Sequence, residues 1–215
     1  MAPELWTATE EWKDQDAFLI GGGPSLTGFD FESLAGRNVI GCNDAFHLGE
    51  RIVSICVFGD ASWWQKNKFK LEKFKNPIVT NCPVVLPLKV PGLRKTRRIR
   101  DGLHNGTNLG WNYSTGALAI NLAVNLGVKR IFLLGYDCQK MGNHHHWHNH
   151  NQKHIHDSSY HRFIGGFRTL KKALTPGVDV FNVTDGTSAL DAFPTISFLT
   201  FQTVLEEGCF QTAFA

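Results

Sequence analysis

"FLIGGGPSL", residues Phe18–Leu26, runs an apolar segment directly into three glycines and a Pro-Ser pair. Something in the fold needs bare backbone at Gly21, Gly22 and Gly23. A P-loop is excluded, because no Lys-Ser/Thr pair follows the last glycine. The dinucleotide fingerprint G-x-G-x-x-G is excluded as well, because its last glycine would fall at Leu26. What remains is a strand-to-helix turn of a third kind. Pro24 suits the first helical position, where its missing N–H costs nothing. Ser25 and the free amides of that turn can then hold phosphate oxygens. A tight turn alone needs one or two glycines, whereas three let backbone approach a ligand.

Outward from this turn, short β-type runs alternate with helix-type segments. The apolar runs predict strands at Ala17–Ile20, Asn38–Gly41, Ile52–Phe58, Pro77–Thr80, Arg130–Leu134 and Val178–Val183. Helices are predicted at Phe31–Ala35, Trp63–Phe74, Thr115–Leu126 and His161–Leu174, the third closed by Gly127. Near-continuous apolar strands alternating with helices predict an α/β fold: a single Rossmann-like domain over residues 1–215, with a mainly parallel, doubly wound sheet. The unusual residues fall just after the predicted strands. They are "GGGPS", "CND" at Cys42–Asp44, "GD" at Gly59–Asp60, "GYD" at Gly135–Asp137 and "TDGTSA" at Thr184–Ala189, with "YSTG" opening the clearest helix at Tyr113–Gly116. In an open parallel sheet such ends border one ligand crevice. Turn chemistry alone also favours Gly, Asn, Asp and Ser at such places.

Composition narrows the function classes. A length of 215 residues and a net charge of +3 suit a globular domain and imply no nucleic-acid partner by themselves. The basic run Lys89–Arg100 places six Lys and Arg in twelve positions, which reads either as a solvated face or as a collar for a polyanionic acceptor such as modified DNA. The acidic start "MAPELWTATEEWKDQD" has no apolar signal region, and no apolar run reaches the roughly 18 residues of a membrane span. Five cysteines form no C-x-x-C pair, and Cys42 and Cys56 sit in strand-like contexts as buried thiols. The expected location is cytoplasmic, in a bacterium or a phage-infected host.

Eight of the ten histidines lie between His144 and His161, within and just after a polar insert following the fifth predicted strand. His146, His148 and His150 alternate, so in an extended segment they face one side. That edge suits zinc or phosphate binding, acid/base work, or a solvated lid, with metal the least favoured of these. Tyr136 and Tyr160 offer hydroxyls near a leaving group, and Trp63-Trp64 either pack or stack on a sugar or base.

"IGGGPSL", "GCNDAF", "NYSTGALAINLAVNLGVKRIFLLGYD" and "NVTDGTSA", in this order from about Phe18 to Ala189, resemble the bacterial sialyltransferase-like glycosyltransferases. They resemble equally the related motility-accessory-factor and 6-hydroxymethylpterin pyrophosphokinase-like proteins, and small phage-encoded proteins with a "GYD…HWH" pattern look alike. The resemblance implies a donor site of Gly21, Gly22, Gly23, Pro24, Ser25, Asn43, Asp60, Ser114, Thr115, Gly116, Gly135, Tyr136 and Asp137. It implies a lid over about 138–160 that folds over the donor, mobile until ligand binds, and a catalytic-base histidine at His161, backed here by His146, His148 and His150. Two positions depart from the sialyltransferases: Gly22 stands where they have Asn, and Asn112 where an Arg would pair with a sialic acid carboxylate. The resemblance therefore implies transfer from a nucleotide-sugar donor to an acceptor hydroxyl, with no cofactor and no metal, and leaves the sugar open. The alternatives are a pyrophosphokinase, which would need Mg²⁺ on Asp60 and Asp137, and a non-catalytic nucleotide-binding module.

Overall fold

Strand β1 (Asp16–Ile20) lies inside an eight-stranded sheet, and its side chains alternate between two cores. Ala17 and Leu19 join Ile131 and Leu133 on one face, while Phe18 and Ile20 join Phe132 and Leu134 on the other. Burial on both faces explains why these strands read as continuous apolar runs. The computed structural model describes residues 4–148, 150, 156–186 and 188–207. Among these, the chain continues with β2 (Val39–Cys42), β3 (Ile55–Phe58), α1 (Ala61–Leu71), β4 (Ile78–Thr80), β5 (Leu93–Lys95), β6 (Arg97–Ile99), β7 (Asn108–Gly110), α2 (Thr115–Asn125), β8 (Arg130–Leu134), α3 (Asp157–Ala173), β9 (Asp179–Val183), β10 (Thr195–Ile196) and α4 (Phe198–Glu207).

The sheet order is β10-β9-β8-β1-β2-β3-β4-β5, with every pairing parallel, and β6 and β7 form a separate parallel pair. Helices α2 and α3 cover one face; α1 and α4 cover the other, with Trp63, Trp64, Phe201 and Val204 in its core. This is the expected doubly wound Rossmann-like fold. From β1 the chain steps outward through β2 to β5, then returns to the opposite flank of β1 at β8. The reversal of strand order therefore falls between β1 and β8, and the crevice belongs at their carboxyl ends. At the opposite ends of the same pair, the Arg130 guanidinium donates to both carboxylate oxygens of Asp16 at 2.6 and 2.7 Å, a bidentate clamp on the register.

Several elements differ from expectation. The Phe31–Ala35 helix is a 3₁₀ turn, Phe31–Leu34, and α3 starts at Asp157 rather than His161. The run Lys89–Arg100 is neither a loop nor a helix, because it supplies β5 and β6. Its charges are largely committed within the fold. Arg98 lies over the Trp111 ring at 4.0 Å and donates to Asn81 and the Gly59 carbonyl, and Arg94 lies over Trp6 at 4.9 Å. Lys95 donates to the carbonyls of Leu86 and Leu88. Arg97 is exposed, and so is Lys89. Among the described residues no helix is long and apolar enough to cross a membrane.

Candidate functional site

The three glycines meet two different neighbours. A Cβ on Gly21 would come within 2.6 Å of the Gly135 carbonyl oxygen, and one on Gly23 within 2.5 Å of the Asp137 carboxylate. Those two positions are bare because the loop after β8 packs against them. Gly22 instead faces the lid, its hypothetical Cβ 3.0 Å from His146 Nδ1. Gly23 caps a 3₁₀ turn, Pro24–Leu26, with Pro24 at its start as expected. The turn's polar groups are already used: the Ser25 amide and hydroxyl donate to the two oxygens of Asp137 at 2.7 and 2.6 Å. A carboxylate thus occupies the place where phosphate was expected. Burial pushes Asp137 above the usual carboxylate range, and the two Ser25 bonds oppose that shift. Gly135 has φ +68°, and a Cβ there would strike Leu26, so the residue is structural.

At the next strand end, Asn43 adopts a left-handed backbone, φ 53°, and its side-chain oxygen accepts from Thr115 Oγ1 at 3.4 Å. Ser114 caps α2 by accepting from the Ala117 amide at 3.0 Å. Immediately before it, Asn112 and Tyr113 are both left-handed, φ 42° and 65°, and Cys138 after β8 is left-handed as well, φ 50°. Each such non-glycine residue costs of order 1–3 kcal/mol and tends to cluster where function requires it. Four of the five in the described chain lie in the loops that follow β2, β7 and β8; the fifth is Asp14. Asn112, where the resemblance implies an arginine, is buried and paired both ways with Gly102 at 2.8 Å.

The described part of the histidine-rich segment after β8 is docked on the glycine turn. Trp147 donates from its ring nitrogen to the Gly21 carbonyl at 2.9 Å and from its amide to the Gly22 carbonyl at 3.2 Å, and its ring packs on Phe31. His146 and His148 stack nearly parallel with centroids 5.3 Å apart, His150 follows at 5.5 Å, and His47 stacks on His150 at 4.0 Å. The alternating histidines therefore do line one edge. His47 joins them because it lies one 3₁₀ turn beyond Asp44 in Asn43–Leu48, where residues three apart eclipse. Asp44 is buried and accepts from the Trp63 ring nitrogen at 3.1 Å.

Burial disfavours the charged form of three of these rings. Burial lowers His146 from its usual 6.5, while the Gly22 backbone and the Asp44 charge oppose the shift. Burial lowers His148 to about 4, with Asp44 opposing and the neighbouring histidines assisting. Burial, His150 and Lys70 lower His47. Ring nitrogens of His47 (Nε2) and His148 (Nδ1) are buried without a hydrogen-bond partner, and His146 is buried against the Gly22 backbone alone.

The remaining expected residues divide as follows. His161 lies in the second turn of α3 and is exposed. Asp60 precedes α1 and is exposed. Gly116 is bare because Tyr136 packs 2.7 Å from its would-be Cβ. The Tyr136 hydroxyl is buried, donating to the Gly116 carbonyl at 3.3 Å beside Cys42 Sγ at 3.5 Å, so it faces the core and not a leaving group. Tyr160 is also buried, its hydroxyl 3.1 Å from His145 Nδ1. Trp63 and Trp64 pack on Phe58 and are no stacking platform. Cys42 and Cys56 are buried free thiols as expected. Residues 149 and 151–155 of the lid lie outside the described residues. Asp44, His47 and Trp147 are the site residues that the sequence reading passed over. Among the described residues no three or more His, Cys, Asp or Glu side chains converge as a metal cage.

No protein-family model matches this chain, and no curated protein matches it. Among solved structures, it is similar to the sialyltransferase CstII from Campylobacter jejuni in complex with cytidine-5'-monophosphate, with TM-score 0.52 and 15% identity over 86% of this chain and 85% of that one. A complex of the same enzyme with CMP-3FNeuAc matches with TM-score 0.47 and 15% identity over 84% and 85%. The mainly parallel, helix-flanked sheet is thus a fold shared with a sialyltransferase across most of both chains.

Proposed function

We propose that this chain is a nucleotide-sugar-dependent glycosyltransferase that works without a metal ion. The observation that carries the reading is the convergence, at the switch point, of four left-handed residues, the Asn43–Thr115 pair and a docked histidine row. The likeness in fold to a CMP-complexed sialyltransferase supports it. Gly22, Asn43, Ser114 and Thr115 border the crevice and are the groups assigned to the donor. Ser25 and Asp137 act one layer back, holding the glycine turn in shape.

The base is a histidine. His146, kept neutral and placed against Gly22, takes the acceptor hydroxyl's proton as the new glycosidic bond forms, and the nucleotide leaves with its phosphate. His148 stands beside it, and His161 at the far end of the lid is the second candidate. The pyrophosphokinase reading is weaker, because both oxygens of Asp137 are engaged by Ser25 and not presented to Mg²⁺. A thermal-shift panel of nucleotide-sugars and nucleoside triphosphates, with and without Mg²⁺, tests the reading. A matching donor at about 100 times its Kd should stabilise by about 2.7 kcal/mol. Stabilisation by a nucleotide-sugar in EDTA supports the transferase; stabilisation only by a triphosphate with Mg²⁺ contradicts it.

A further inference from the structure

We propose that Asp44, His47, His146 and His148 form a subsite for sugar hydroxyls that accepts an uncharged sugar and rejects one carrying a carboxylate. The proposal rests on the transferase reading for its biological setting and on the side-chain chemistry for its ligand. Ring nitrogens of His47 and His148 in this row are buried and partnerless, His146 is buried against the Gly22 backbone alone, and unmet buried polar atoms call for a ligand or solvent that meets them. A neutral imidazole offers one N–H and one lone pair, and Asp44 offers acceptors only. A sugar hydroxyl both donates and accepts, so neighbouring hydroxyls can satisfy this mixed set. A metal ion would need only lone pairs, and no three of these side chains converge on one point. An anion would meet Asp44, which is 4% exposed and whose charge reaches His47, His146 and His148.

Cations offer no compensating pocket. Arg98 is committed to Asn81, the Gly59 carbonyl and the Trp111 ring. Lys66 donates to the His150 carbonyl at 3.0 Å, and Lys70, whose field reaches His47, is exposed on α1. Asn112 is closed on Gly102 and offers no guanidinium to a carboxylate.

UDP-glucose and UDP-glucuronic acid differ only in an uncharged against a carboxylate-bearing sugar, and their affinities by calorimetry form the first test. Glucose 1-phosphate and glucuronic acid 1-phosphate, read on the His146 and His148 ring signals by NMR, form the second, which needs no nucleotide pocket. We expect the neutral member of each pair to bind at least tenfold tighter. Asp44→Asn, which retains an acceptor for Trp63, should bring the ratio within about threefold. Equal affinities in the wild type, a ratio unchanged by Asp44→Asn, or no ring-signal response to glucose 1-phosphate would each overturn the subsite. So would Zn²⁺ binding that is lost in His146→Ala and His148→Ala while both sugars leave the ring signals unmoved. A ring-signal response to glucose 1-phosphate with no binding of any nucleotide would sustain the subsite and remove the transferase reading.

Discussion

Gly22 and Gly23 are adjacent in the chain and answer to different neighbours. A methyl on Gly23 overlaps the Asp137 carboxylate and the Gly135 carbonyl, neither of which can retreat, so Gly23→Ala should cost about 2–3 kcal/mol of stability in a chemical-denaturation experiment. A methyl on Gly22 meets only the edge of His146, so Gly22→Ala should stay within about 1 kcal/mol of wild type and act on the lid. Gly23 therefore cannot serve as a clean probe of ligand approach, and Gly22 can. His148 carries a second residue-scale prediction. Its folded value of about 4 lies below the usual 6.5, so between those values the unfolded chain binds more protons than the native one. Stability should then fall on acidification from about pH 6.5 to 4, by on the order of 2 kcal/mol. A denaturation series in that window checks it: His148→Gln should flatten the slope, and an unchanged slope would show that the burial penalty lies elsewhere.

At the scale of elements, the lid is held from its middle. Trp147 pins the segment to the carbonyls of Gly21 and Gly22, and His145 adds a contact to Tyr160 of α3. His161, exposed in α3, has no such placement. Against the donor found by the panel, His146→Ala should lose 10²–10⁴-fold in turnover while keeping nucleotide affinity within a few-fold, as loss of a general base does. His161→Ala should turn over nearly as well as wild type. The reverse ranking in steady-state assays would move the base to α3. Elements also show where sequence was readable. The span of β8 matches its apolar run, and α2 stands where its helical spacing and Gly127 put it, because both are buried and composition records burial. The strands β5 to β7 went unread, since none of these three-residue strands has an apolar run; β5 and β6 carry Arg and Lys, and Arg98 of β6 depends on distant partners such as Trp111 and Asn81. That Asp44 and His47 share one side follows from a 3₁₀ turn, whose three-residue period brings them into line. The reason for bare Gly23 lies in Asp137, 112 residues beyond Ser25 along the chain, and no local pattern contains it.

The whole molecule is a parallel sheet between two helix layers, its strand order reversing at β1/β8, with left-handed residues in the loops after β2, β7 and β8 and a histidine-rich segment docked on the glycine turn after β1. The strand-end residues were legible as a group because each follows an apolar run, whereas their division into structural and ligand-facing members required the packing. Ser25, Gly116, Gly135, Tyr136 and Asp137 are engaged in packing or hydrogen bonds within the fold; Gly22, Asn43, Ser114 and Thr115 are the ones the proposal assigns to the donor. The central claim is that this edge binds a nucleotide-activated sugar without metal. Calorimetric titration of the nucleotide-sugar panel in excess EDTA, on the wild type and on Thr115→Val, tests it most directly. The account predicts one donor that binds the wild type in EDTA and binds Thr115→Val at least tenfold more weakly, with the variant's thermal stability preserved. Binding that appears only when Mg²⁺ is restored, or that is indifferent to Thr115→Val, would contradict it.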